Sequence, residues 1–312
     1  MPQRLRISLA LPVHATAFAR TLDVARAAER AGFDGAWVPD HLVNLASAES
    51  GVLECWTVLA AVAAVTERMF LGTLVISTPF RHPPLLAKQA ATLAALAPER
   101  LVLGLGAGGF TYDEACAQLG FGPLPPRDRV AHVEETIFCL RRLWGEDPAD
   151  FGGRFAQTLG SRLYPRPAQP IPIVVAARRP GMLRLAARLA DGWNCPLPAE
   201  LDAGLAAIER CGRDRGSIEV SAYVVTVPGA NDDEARRALV RAGRAAQAFG
   251  DVERHHLFGS PGRMLDRIAD FLRRRVDHLV LDVRGTPHEE AVDLLAREVL
   301  SRLDGYQPPV GS

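Results

Sequence analysis

The stretch 70–109, FLGTLVISTPFRHPPLLAKQAATLAALAPERLVLGLGAGG, spells a strand, a helix and a second strand. The first strand runs into Ser77, Thr78 and Pro79, and the second dissolves into glycine from Gly104 onward. Both ends are poor strand formers and good ligand holders. In a parallel α/β architecture ligands sit beyond the carboxyl ends of strands, so these two neighbouring ends mark a candidate site.

Working outward, apolar runs of strand length alternate with amphipathic helical stretches from end to end, the pattern of repeated βα units. Strands are expected at Arg6 to Leu11, Gly35 to Asp40, Phe70 to Ser77, Leu101 to Gly106, Ile171 to Ala176, Gly192 to Cys195, Ile218 to Val227 and His278 to Val283. Eight parallel strands with helices between them close into a TIM (β/α)8 barrel, an α/β fold. The helices agree with that count. One places Phe18, Leu22, Ala25 and Ala28 on a single face and stops at Gly32; another places Val130, Val133, Ile137, Leu140 and Trp144 likewise and stops at Gly145. The last opens with Thr286-Pro287-His288-Glu289, which reads as a capping box with proline at the first helical position.

No linker, repeat or low-complexity tract divides the chain, so residues 1–312 read as one barrel domain with insertions near 109–128, 150–169 and 250–262. The second insertion, FGGRFAQTLGSRLYPRP, is expected as a hairpin or extended arm, and the third precedes an extra helix. Segments of that length in a compact barrel serve as active-site loops or lids.

The composition narrows the function. At 312 residues, 48% hydrophobic and 23% charged, the chain can bury a large core. A net charge of +0 offers no general field for nucleic acid or an anionic membrane surface, so neither is expected as a partner. No run approaches the roughly 20 apolar residues of a membrane span, and the opening residues turn polar too soon for a signal peptide. A cytoplasmic enzyme is expected. The cysteines, Cys55, Cys116, Cys139, Cys195 and Cys211, are odd in number and scattered, and they read mostly as small buried hydrophobes. Lys88 is the only lysine among many arginines, a bias better explained by GC-rich coding than by function.

Four motifs carry candidate chemistry. Asp40 and His41 follow strand two, where a carboxylate beside an imidazole can transfer protons; a turn cap and a packed ring would explain the pair as well, but the strand-end position favours a site. Ser77 and Thr78 offer hydroxyls to the edge of a flat heterocycle, or simply make a turn. Gly104 to Gly109 lets a ligand approach the backbone; it is not a dinucleotide fingerprint, because no helix starts directly after it. Ala176 to Gly181 opens a helix whose free amides, beside Arg178 and Arg179, form a natural phosphate site. No metal site is expected: His14 stands alone after strand one, and the adjacent His255 and His256 read as surface residues.

As an ordered set, AERAGFDGAWVPDHL, ECWTVLAAVAAVTERMFLGTLV, RHPPLLAKQAATLAALAPERLVLGLGAGG, PPRDRVAHVEETIFCLRRLWG, PGMLRLAARLADGWN and FGSPGRMLDRIADFLRRRVDHLVL resemble segments of the luciferase-like monooxygenase superfamily, in particular its coenzyme F420-dependent oxidoreductases. The resemblance implies a barrel holding F420, or alternatively FMN, at its carboxyl-terminal mouth, with a small-molecule substrate and a homodimer. It implies Asp40 and His41 beside the ring and substrate, Leu74, Val75, Ile76 and Ser77 against the ring with a cis peptide near Leu74-Val75, Gly106, Ala107 and Gly108 facing the ring, and Ala177, Arg178, Arg179 and Gly181 on the phosphate. Sugar-phosphate and alcohol dehydrogenases of that branch carry a glutamate after the strand-four glycines, where this chain has Gly109. That departure argues against those two activities and leaves a cofactor-binding relative without turnover as an alternative. An unrelated barrel lyase or hydrolase is disfavoured, because neither a Schiff-base lysine nor a metal set stands at a strand mouth.

Overall fold

The computed structural model describes residues 4–14, 18–44 and 51–303. Its strands are β1 (Arg6–Ala10), β2 (Gly35–Val38), β3 (Phe70–Thr73), β4 (Ile76–Ser77), β5 (Leu101–Gly106), β6 (Ala149–Gly152), β7 (Gln157–Ser161), β8 (Ile173–Ala176), β9 (Gly192–Cys195), β10 (Glu219–Pro228), β11 (Leu257–Gly259) and β12 (His278–Val283). Parallel pairing runs β10-β12-β1-β2-β3-β5-β8-β9, and β9 pairs back onto β10 to close the barrel. All eight expected strands are present: three keep the expected bounds, three are a residue or two shorter at one end, and the seventh is shifted by one residue.

The third strand is the exception. The β-branched run Val75-Ile76 reads as one continuous strand, yet the chain breaks into β3 and β4 around a cis peptide between Leu74 and Val75. At the break the Thr73 hydroxyl stands in for the backbone ladder: its Oγ1 donates to the Gly104 carbonyl and accepts from the Gly104 amide, both at 2.8 Å. A Cβ on Gly104 would lie 2.0 Å from the Thr73 carbonyl oxygen, and one on Gly106 would lie 2.7 Å from Val75 Cγ2. The glycines of β5 therefore make room for this neighbouring strand.

The barrel interior is closed from below by Trp37, packed with Ala10, Val102, Val174 and Val280. Gly72, its register partner on β3, admits it, since a Cβ there would sit 2.2 Å from the indole. The outward faces of the strands meet the helices in a much larger apolar cluster, which excludes water from both sides of the sheet. Along helix Phe18–Arg30 the expected Ala25 and Ala28 are buried and Leu22 packs against the core, while Phe18 is 40% exposed and the buried face takes in Thr21 and Val24 instead.

The insertions carry structure of their own. Residues 109–128 hold helix Phe110–Leu119, which starts directly after the glycines with Gly109 as its N-cap, where the sequence led us to expect none; Phe80 packs against it through Tyr112 at 5.1 Å between ring centroids. Residues 150–169 hold the antiparallel hairpin β6–β7, as expected. In the third, β11 pairs with the overhanging end of β10, and this covering buries His256, which the sequence placed at the surface. Its Nδ1 accepts from the Val225 amide at 3.1 Å. The capping box before the last helix does not form: the helix starts at His288, Pro287 is its N-cap, and the Thr286 hydroxyl donates to the Pro228 carbonyl at 3.3 Å. No helix among the described residues is long and apolar enough to cross a membrane.

Candidate functional site

At the carboxyl ends of the strands a cavity of about 250 Å³ opens over the barrel interior, between Ala10 to His14 after β1, Pro39 and His41 after β2, Leu74 and Val75 at the strand break, and Tyr223, Asp282 and Arg284 from β10 and β12. His14 is held in place by a bridge to Val52 and by the Leu53 amide, which donates to the Val13 carbonyl at 3.0 Å.

His41 Nδ1 lies 3.1 Å from His14 Nε2, with ring centroids 5.1 Å apart. Burial lowers the pKa of both rings, and for His14, which also feels His41 and Arg284, the value falls to about 4. Both imidazoles are therefore neutral at pH 7, and one donates to the other. A neutral imidazole in an apolar cavity can take up a proton during a reaction and release it afterwards.

Asp40 is arranged differently. Its side chain is fully buried below the cavity, Arg81 Nη1 and Nη2 reach its two oxygens at 2.5 and 2.8 Å, and the Ser77 amide donates to Oδ2 at 3.0 Å. Burial pushes its carboxyl up while Arg81 and the Ser77 amide pull it back. Arg81 is shared with Glu54 at 2.7 Å, whose other contacts cap helix Cys55–Val65. These contacts tie the ends of β2 and β4 to a helix start. Ile76 and Ser77 are buried beside Asp40, and Ser77 Oγ has no partner among the described residues.

Gly106, Ala107 and Gly108 run beside the cavity without lining it. Gly108 needs its glycine for another reason: its φ is +84°, and a Cβ would meet Tyr112 at 2.9 Å. Ala177, Arg178 and Arg179 line a second cavity of about 170 Å³ with Trp193, Cys195 and Glu200. Helix Pro180–Leu189 begins there with Arg179 as N-cap and no side chain bonded to its first amides, which are thus open to an anion. Arg178 is already engaged, Nε and Nη2 lying 2.9 and 2.5 Å from the Glu200 carboxylate. Gly181 lies outside this lining, its would-be Cβ 3.7 Å from Val130.

The sequence did not single out the group on the far wall. Tyr223 donates a short hydrogen bond to Asp282 Oδ2, which also receives Arg284 Nε at 2.7 Å. Burial and Asp282 push the Tyr223 phenol well above its ordinary range. His288 completes this side, its pKa lowered by burial. The available signal was a tyrosine and an aspartate inside the apolar runs SAYVVTV and HLVLDV.

Comparison with known proteins bears on this arrangement. A family model described as luciferase-like monooxygenase matches residues 5–297. An F420-dependent glucose-6-phosphate dehydrogenase of Intrasporangium calvum is 30% identical over 89% of this chain and 92% of its own length. Among solved structures, an F420-dependent secondary alcohol dehydrogenase in complex with an F420-acetone adduct superposes with a TM-score of 0.81 at 20% identity, covering 95% of this chain and 98% of the other. A monooxygenase from Streptomyces bottropensis gives 0.78 at 23% identity, with 96% and 99% covered.

Proposed function

We infer the chemistry of the mouth from one premise: this chain belongs to the luciferase-like monooxygenase family. We propose that it is an oxidoreductase that uses the deazaflavin F420 to move a hydride to or from a small organic substrate. The observation carrying this reading is the cavity itself, walled by the cis-linked Leu74 and Val75 on one side and by the neutral pair His14 and His41 on another.

The residues fit such a cofactor. Ser77 Oγ is a buried hydroxyl in need of a partner, suited to the polar edge of a flat ring. The open amides of helix Pro180–Leu189, with Arg178 and Arg179, suit a phosphate. When bound, F420 supplies a ring carbon that gives or takes a hydride; positioning and proton handling fall to the protein. In this reading Leu74, Val75, Ile76 and Ser77, with the β5 glycines Gly106 to Gly108 behind them, hold the ring. His41 takes or returns the proton that accompanies the hydride, and His14 holds its other nitrogen. Asp40 is a positioning residue, fixing the end of β4 through the Ser77 amide. Leu11, Val13 and Phe249 keep water from the reacting centre.

A second reading, an FMN-dependent monooxygenase, draws on Gly109, which offers no acid and has open space where a Cβ would project. The setting we propose is a homodimer in the cytoplasm; exposed Leu85 and Leu96 on the outer face of helix Pro83–Leu96 support the dimer, which light scattering would test.

Fluorescence titration with F420 and with FMN decides between the two cofactors. F420 is expected to bind at least about tenfold more tightly. The reverse order favours the monooxygenase, and binding of neither overturns both. Bleaching of bound F420 by substrate excludes a silent binder.

A further inference from the structure

Two cavities divide the polar groups of the mouth between them. The smaller holds Arg178 and Arg179 against Glu200, an excess of positive charge suited to an anion. Along the larger, the charged side chains among the described residues are Asp282 and Arg284, one of each sign and bonded to each other. Their geometry is lopsided. Tyr223 Oη, Arg284 Nε at 2.7 Å and Arg284 Nη2 at 2.6 Å all converge on Asp282 Oδ2. Oδ1 receives no donor from any described residue, although Asp282 is only 8% exposed and lines the cavity.

Oδ1 is not sealed off, so a carboxylate oxygen with no protein donor stands open to the cavity and can accept from a ligand. Arg284 Nε and Nη2 both serve Oδ2; of the remaining polar groups of the wall, His14, His41 and Asn194 belong to other strand ends, and His288 follows the same strand as Asp282. Because Arg284 is compensated, the wall has no net charge with which to hold a phosphate or carboxylate.

We propose that Asp282 Oδ1 accepts a hydrogen bond from a hydroxyl of the substrate, so that the larger cavity selects neutral hydroxyl-bearing molecules over phosphorylated or carboxylated ones. This rests on the oxidoreductase reading for the identity of the site, and deepens it by naming the class of substrate. Tyr223 and Arg284 are the positioning residues that hold the carboxylate still.

The test compares glucose, cyclohexanol and glucose-6-phosphate as probes of the F420-loaded protein, by calorimetry and deazaflavin fluorescence, with inorganic phosphate titrated into both cofactor-free and loaded protein. With F420 bound, so that the smaller cavity is filled, the wild type is expected to bind a neutral probe and to ignore added phosphate. Asp282→Asn should weaken the neutral probe by about tenfold or more and leave F420 affinity within about twofold. It should also admit inorganic phosphate, because Arg284 loses its countercharge. Arg284→Gln, which frees the carboxylate to move but keeps its charge, should weaken the neutral probe less than Asp282→Asn does and gain no phosphate binding. Preference of the wild type for glucose-6-phosphate over glucose overturns the proposal. So does an Asp282→Asn protein in which the neutral probe and the phosphate response are both unchanged, or an Arg284→Gln protein that gains phosphate binding. If the wild type fails to bind F420, the functional reading falls, while the phosphate that cofactor-free Asp282→Asn binds beyond what cofactor-free wild type takes in its smaller cavity still decides the role of Asp282.

Discussion

At the amino-terminal ends of β10 and β12, Glu219 and His278 meet Arg6 from β1; toward the carboxyl-terminal ends of the same two strands, Tyr223 and Asp282 meet Arg284. The ingredients are nearly the same and the outcomes differ. On the floor, Glu219 is shared by Arg6 and His278, His278 Nε2 and Ser8 Oγ lie 2.7 Å apart, the imidazole packs edge-on to Trp37, and Arg6 lies over Phe70. At the mouth the partners crowd one carboxylate oxygen and leave a cavity in front of the other. Barrels commonly divide stability and chemistry between these two faces. Here the division is visible along single strands, four residues apart on each.

The comparison can be broken most severely at His41. His41→Ala is expected to lower kcat by about 10²-fold or more while F420 affinity and stability barely change, as steady-state kinetics, titration and urea unfolding would register. Unchanged turnover would reduce His41 to a packing residue. On the floor the expectation inverts. Trp37→Ala should cost about 3–5 kcal/mol in urea unfolding, because a filled interior becomes a void, with cofactor affinity retained in the folded fraction.

Asp40 stands between the two cases, a mouth residue wired like a floor residue. Removing it leaves Arg81 buried beside Glu54 alone, so Asp40→Ala should cost about 3 kcal/mol and also loosen cofactor binding through Ser77. A loss of turnover without either effect would instead make Asp40 a proton carrier.

Acid should separate the two ends by pH. His14 has its folded pKa lowered from 6.5 to about 4, so between those values the unfolded chain holds a proton that the native mouth refuses. Its stabilising contribution is complete above 6.5 and is lost as the pH falls toward 4. Glu219 is pushed up by burial but held down at about 2 by His278 and Arg6, so the floor loses its contribution later, from 4.5 down to 2. Each step is on the order of 2–3 kcal/mol. His278, lowered by burial, adds to the upper window, so His14→Gln should flatten that window in part and Glu219→Gln should flatten the lower one.

The sequence disclosed the barrel because each strand announces itself locally, through apolar runs and the glycines or prolines that stop them. It disclosed His41 for the same reason, since that residue follows β2 directly. The cluster of Tyr223, Asp282 and Arg284 was hidden because its members come together only when β10 and β12 pair, across 59 positions of chain. His14 looked solitary because its meeting with His41 depends on how the segment after β1 is held against Val52, which no strand count fixes. The break in the third strand was masked by Val75 and Ile76, whose branched side chains favour the continuous strand that the structure interrupts.

That interruption also bears on how this pocket can change. Thr73 gives and receives a hydrogen bond with Gly104, and any side chain at 104 would collide with the Thr73 carbonyl at 2.0 Å. Neither position can be the first to vary: losing the hydroxyl strands two buried backbone groups, and gaining a methyl closes the gap between strands. Diversification of the pocket, in a lineage or in a library, is therefore channelled away from β3 and β5 toward the walls built by β1, β10 and β12.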